Sequence, residues 1–193
     1  MAREVVLNSY FQLSDPGSYS VYGVVRTPGQ TTEGFSTNRL LFNLTSGRSY
    51  WTQKVGVKGN ASKLREFRVL NYSGSQKTEL YVQVMDCATG TSIQTYSIGD
   101  VLMFRKPQIT VDRNQILHVF FLSGPTMWTH VQVDTDGKLL KREFHIRGPQ
   151  GDPQLLAMAN GSIGISNSIP YDPKAAAEAK AKVRKASDRP AGF

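Results

Sequence analysis

The chain has 193 residues, 39% of them hydrophobic and 10% aromatic, which is enough to bury a core and argues against wholesale disorder. One cysteine, Cys87, excludes an internal disulfide framework and any multi-cysteine zinc site. The net charge of +8 favours weak contact with anionic surfaces, and ordinary solvated charge is the simpler account of it.

The opening "MAREVVLNSYFQ" lacks a positive-then-apolar leader pattern, and no apolar run reaches the length of a membrane span. Residues 1–47 read as three strands: "EVVLNSYFQL", "SYSVYGVVR" and "NRLLFNLT". Between the first two, Pro16-Gly17 makes a turn and Tyr19 stands at the start of the next strand. That arrangement resembles the tyrosine corner of immunoglobulin-like sandwiches, and a plain turn with a core tyrosine fits the same residues. If the corner holds, these are the last three strands of a sandwich, and the chain is expected to begin inside a domain whose first half is missing.

Residues 48–61, which carry Trp51, read as a polar linker. Residues 62–171 read as β throughout. "LREFRVLNY" and "TELYVQVMD" are predicted to pair through a short loop, followed by "TSIQTYSIG". "ILHVFFL" is apolar on both faces and is expected to be an inner strand. "MWTHVQVDTDGKLLKREFHI" is a further hairpin, and "PQLLAMANGSIGISNS" closes the β region. The tail 172–193 holds six basic and three acidic residues, with helix-favouring alanine but no apolar stripe, so a frayed helix or disorder is expected.

The β region repeats itself. Val82-Gln83-Val84 matches Val131-Gln132-Val133, Gly90 matches Gly137, and Pro107-Gln108-Ile109 matches Pro153-Gln154-Leu155. A period in the high forties with about four strands is the signature of propeller blades, and two similar β-meanders would match by pattern alone. Barely two units fit, too few for a closed ring, so an open propeller-like pair is expected. A sandwich and self-association are the alternatives.

Taken together, "YFQLSDPGSYSVYGVV", "LYVQVMD", "PQITVDRNQILHVFF" and "VDTDGKLLKREF" resemble a family of uncharacterised exported bacterial proteins. These place an immunoglobulin-like domain before a few propeller-like blades. The resemblance implies an all-β fold and an extracytoplasmic location, in the periplasm or at the cell surface. It implies no catalytic residue and no cofactor. The Ala/Lys tail is not a feature of that family.

Candidate sites are few. Asp134-Thr135-Asp136-Gly137 offers two carboxylates, but calcium wants six to eight oxygens and the following residues turn basic. A turn closed by left-handed Gly137, echoed by Gly90, needs less. Alternation places Trp128, His130 and Gln132 on one strand face, echoed by Tyr81 and Gln83. An aromatic beside amide and imidazole suits a sugar- or peptide-binding surface, and packing between repeats suits it too. His118, His130 and His145 are the only histidines; His118 lies among Ile116, Phe120 and Leu122 and reads as a satisfied core residue, so no metal site is expected.

The chain has no nucleophile elbow, P-loop or dinucleotide fingerprint, and nothing in sequence pairs Asp100, Asp112 or Glu143. The expected role is a non-catalytic envelope module that is structural or binds a protein or glycan, without a specific nucleic-acid ligand. A glycan-hydrolase remnant, or anionic-surface binding through the tail, is the alternative.

Overall fold

A computed structural model of the chain describes residues 5, 7, 10, 11, 13, 17–26, 29, 34–45 and 47–186. They fall into two compact units, Met1–Gly47 and Arg48–Phe193. Among the described residues, the regular elements are β-strands and one helix.

The first unit is a nested hairpin. Strand β1 (Gly17–Val21) pairs antiparallel with β4 (Leu40–Leu44), and β2 (Val24–Val25) pairs with β3 (Phe35–Ser36). Opposite residues Tyr19 and Phe42 stack with ring centroids 5.6 Å apart. Gly17 begins β1, and Pro16 lies outside the described residues. The strand expected at 4–13 is not supported where it is described. The Leu7 carbonyl instead accepts the backbone amides of both Tyr10 and Phe11, each at 2.9 Å, which is a helical turn. Phe35 and Leu41 are each 76% exposed.

In the second unit, strands β5 (Arg48–Val57), β6 (Asn60–Ser73), β7 (Thr78–Asp86) and β8 (Ser92–Asp100) form a four-stranded antiparallel meander. The expected linker at 48–61 is therefore corrected to a strand and the start of its partner. Gly59, at φ 83°, turns the chain so that Val57 faces Asn60. Only Val55 of β5 is fully buried, as suits an edge strand with few positions over the core.

A second sheet follows: β9 (Gln108–Val111), β10 (Leu117–Gly124), β11 (Met127–Val133) and β12 (Leu139–Arg147), joined at the β12 edge by β15 (Ser168–Tyr171). Between β12 and β15 lies a separate hairpin of β13 (Gln154–Ala157) and β14 (Ile163–Ser166). Val82-Gln83-Val84 and Val131-Gln132-Val133 thus each lie in the third strand of a meander.

The two sheets share one core. Phe67, Val69, Val82 and Val84 from the first pack with Val119, Phe121, Val131 and Val133 from the second. Alternation sets this pattern: Leu80, Val82 and Val84 in β7, and Val131 and Val133 in β11, put branched aliphatics on one face. In β10, residues 117–122 are all buried, because the strand is paired on both sides and packed on both faces. Its second face carries a smaller cluster of Phe120, Leu122 and Trp128, against which Leu102, Leu155 and Ile165 pack.

The tail forms helix α1 (Pro173–Ala186). Asp172 caps it, its Oδ1 accepting the Lys174 amide at 2.8 Å, and proline takes the first helical position. Residues 187–193 of the tail lie outside the described residues. Among the described residues no helix is long and apolar enough to cross a membrane, which says nothing of a β-barrel.

Candidate functional site

The turn at Asp134 is settled by its hydrogen bonds. Asp134 Oδ1 accepts the amides of Asp136 (3.0 Å) and Lys138 (2.8 Å), while Gly137, at φ 81°, donates to the Asp134 carbonyl. Asp86 caps the equivalent turn: its Oδ1 accepts the Ala88 amide at 2.8 Å, and Gly90 sits at φ 69°. Those amide bonds hold the Asp86 carboxyl below its ordinary pKa. The second acid of the pair, Asp136, faces the buried Arg65 at 3.9 Å, and Arg65 is hydrogen-bonded to Asp86. Each aspartate therefore has a structural task. Replacing Asp134 with alanine is expected to cost about 1 kcal/mol, read from urea unfolding midpoints, because two turn amides lose their acceptor.

The residues singled out for binding do not form one surface. Tyr81 and Gln83 alternate with core-facing Leu80, Val82 and Val84, so they lie on the outer face of the first sheet. Trp128, His130 and Gln132 alternate with core-facing Val131 and Val133, so they lie on the outer face of the second. Tyr81 is engaged locally, donating to Glu79 at 2.7 Å. Trp128 is no open platform: Leu155 and Ile165 of the β13–β14 hairpin cover its cluster and leave it 8% exposed. Beside it is a hollow of about 170 Å³, lined by Arg105, Gln108, Trp128, Asp152 and Gln154 among others.

His130 belongs to a constellation that strand register assembles. In β10 and β11, His118 pairs with Gln132 and Phe120 with His130, which makes the two histidines diagonal neighbours on one face. In β11 and β12, His130 pairs with Glu143 and Trp128 with His145, so His145 is diagonal to His130 on the same face. The three histidines are 3%, 3% and 6% exposed. His118 and His130 stack at 5.2 Å, and Phe120 sets its edge against both His130 and His145.

His118 Nδ1 lies 3.0 Å from His130 Nε2, so one nitrogen donates and the other accepts. His118 Nε2 faces Asp112 Oδ2 at 3.6 Å, and His130 Nδ1 faces Glu143 Oε2 at 3.7 Å, both longer than a hydrogen bond. His118 Nε2, His130 Nδ1 and both nitrogens of His145 have no hydrogen-bond partner among the described residues. Each such buried atom costs roughly 1–3 kcal/mol. His118 is thus buried, but on the face of β10 opposite the shared core, and its Nε2 is unpaired among the described residues.

Burial lowers all three histidine pKa values, and His130 reaches about 4 because the neighbouring imidazoles add to its desolvation. Burial pushes the Glu143 carboxyl up, but its ion pair with Lys141 at 2.8 Å and the nearby histidines outweigh that and hold it low. One ligand atom each from His130, Glu143 and His145 lie within 4.8 Å of one another. A neutral imidazole beside an ionised carboxylate keeps one N–H and offers its other nitrogen to a proton or a metal ion.

Sequence reasoning named His130 but missed Glu143 and His145 as its neighbours. The available signal was parity: all three occupy outward positions of consecutive strands. Fold and site together define an all-β protein of two units with a buried histidine–carboxylate cluster on one sheet face. No protein-family model, no curated protein and no solved structure matches the chain.

Proposed function

We propose that the chain is a non-catalytic β-rich module of the bacterial cell envelope, acting by scaffolding or by binding a protein or glycan. In its finer architecture it combines an immunoglobulin-like strand group with two propeller-like repeats. The recurrence of matched sequence in the third strand of each meander supports the repeats. The Tyr19–Phe42 stack supports the first unit's resemblance to a sandwich corner.

The observation that carries the non-catalytic reading is the scale of the hollows. Two hollows among the described residues measure about 130 and 170 Å³, below the roughly 300 Å³ at which ligand pockets begin. A glycosidase needs two carboxylates facing a substrate cleft. Asp112 and Glu143, the acids nearest the cluster, face histidines instead.

The test is co-sedimentation with insoluble bacterial cell-wall glycan, with soluble product assayed in parallel. Retention without product is expected. Product release that disappears in Glu143→Gln and Asp112→Asn would establish the hydrolase reading instead.

Lys174 and Lys180 are exposed on α1, which favours anionic-surface contact as a second reading. On that reading, binding to phosphatidylglycerol vesicles weakens steeply between about 50 and 200 mM salt, as contacts with a polyanion do. Deleting residues 172–193 abolishes it. Binding that survives the deletion would assign the contact elsewhere.

A further inference from the structure

We propose that His130, His145 and Glu143 bind a divalent transition-metal ion of the zinc class, which ties β11 to β12 on the outer face of the five-stranded sheet.

The first reason is the orphaned nitrogens. His145 is 6% exposed with neither ring nitrogen bonded, and His130 Nδ1 is equally unpartnered. One ring nitrogen each from His130 and His145 and a Glu143 oxygen lie within 4.8 Å of one another. A tetrahedral zinc with bonds of 2.0–2.1 Å holds its ligand atoms about 3.4 Å apart. His130 Nδ1 and Glu143 Oε2 are already 3.7 Å apart, so small side-chain rotations close the site. A bare cluster leaves these buried atoms unpaired, whereas an ion satisfies one on each ligand.

The second reason is a tautomer chain that the ion completes. Metal on His130 Nδ1 puts the ring proton on Nε2, which donates to His118 Nδ1 across 3.0 Å. His118 then carries its own proton on Nε2, directed at Asp112 Oδ2 at 3.6 Å. One assignment suits every nitrogen along the chain, and it ends on a carboxylate. This is the outer-shell support that metal-bound histidines ordinarily have.

The donor set selects the ion. Two imidazoles and one carboxylate suit zinc, cobalt or nickel; calcium and magnesium want oxygen ligands, and only one carboxylate is present. The Glu143 side chain is 37% exposed, so the ion enters past it and solvent supplies the fourth ligand. Lys141, ion-paired with Glu143 at 2.8 Å, competes for that carboxylate and has to swing away.

The whole chain, stripped with chelator and dialysed, is titrated with Co²⁺ as a visible probe. One equivalent is expected to bind with tetrahedral absorption bands, and Zn²⁺ displaces it. Saturating Zn²⁺ raises Tm by roughly 5–10 °C. Glu143→Gln is expected to weaken Co²⁺ at least tenfold, His145→Gln to abolish uptake, and Lys141→Met to tighten it several-fold. Absence of uptake by the wild-type chain overturns the proposal, as does unchanged uptake in Glu143→Gln. Should His145→Gln fail to fold, the opposite shifts of the two exposed variants, Glu143→Gln and Lys141→Met, decide the question alone.

Discussion

With metal removed by EDTA, the unfolding free energy of the chain is expected to fall by at least about 3 kcal/mol between pH 7 and pH 4. The native His130 takes its proton only near pH 4, held there chiefly by burial and by its stacked neighbour His118. An unfolded histidine takes it near 6.5. Between those values the unfolded chain binds a proton that the native chain does not, so acidification favours unfolding. The stability is complete above about pH 6.5 and drains away as pH falls towards 4. That gap corresponds to about 3 kcal/mol for His130 alone. His118 and His145 are lowered in the same direction, also first by desolvation, and add to the loss. Asp112 and Glu143 raise the histidine values, while Lys141 lowers that of His145. Equilibrium urea unfolding at pH 7, 5.5 and 4 measures the effect, and His130→Gln is expected to flatten the profile. A wild-type profile flat over this range would show the cluster to be hydrated in solution.

Much of the β structure was legible because burial on one face leaves an alternating record. "LYVQV" and "WTHVQV" announce both their strands and their core-facing valines. The unbroken apolar run of β10 likewise announces a strand packed on both faces. Strand β5 left no such record. It is the edge of its sheet, and beyond Val55 most of its positions are exposed or half-buried, so Thr52, Gln53 and Lys54 read as a polar connector. Its hairpin turn, Lys58-Gly59, is marked by a single glycine rather than a strong turn pair. The turn at Tyr10 and Phe11 fails in the opposite direction. Those residues have strand-like chemistry, yet local amide bonds to Leu7 override it.

The site was legible only one strand at a time. Parity alone places His118 and His130 away from the shared core, because each is followed by a core-facing valine, while Glu143 and His145 join their face only through the β11–β12 register. Convergence depends on register, and register depends on where each hairpin turns and where it bulges. A bulge near Ser123 and another before Val133 shift the pairing in ways that composition does not reveal. Burial of Trp128 depends on a hairpin that begins more than twenty residues later, at Gln154. An aromatic beside an imidazole and an amide is therefore ambiguous in sequence. The aromatic of the three, Trp128, is packed under β13–β14 rather than presented to solvent.

Gly137→Ala is expected to destabilise the chain by about 3 kcal/mol, whereas Gly90→Ala at the matching position costs only about 1 kcal/mol. Both glycines hold left-handed backbone, at φ 81° and φ 69°, and both close an aspartate-capped turn. The backbone strain of an alanine is therefore nearly common to the two. The surroundings differ. A Cβ on Gly90 meets nothing within 4 Å, while one on Gly137 would lie 2.5 Å from Gln94 Cβ and 3.6 Å from Val84 Cγ2. Gln94 Cβ is fixed to the backbone of β8 and cannot rotate away, so the turn or the strand has to move. Overpacking of this kind adds roughly 1–3 kcal/mol to the strain. The contact lies where the β11–β12 turn docks on the first sheet, beside the Asp136–Arg65 pair, so the loss should appear as weakened cohesion of the two sheets. Urea unfolding of the two variants side by side separates strain from clash. Equal losses would show that the turn is free of β8 in solution, and that the repeated glycine serves backbone conformation alone.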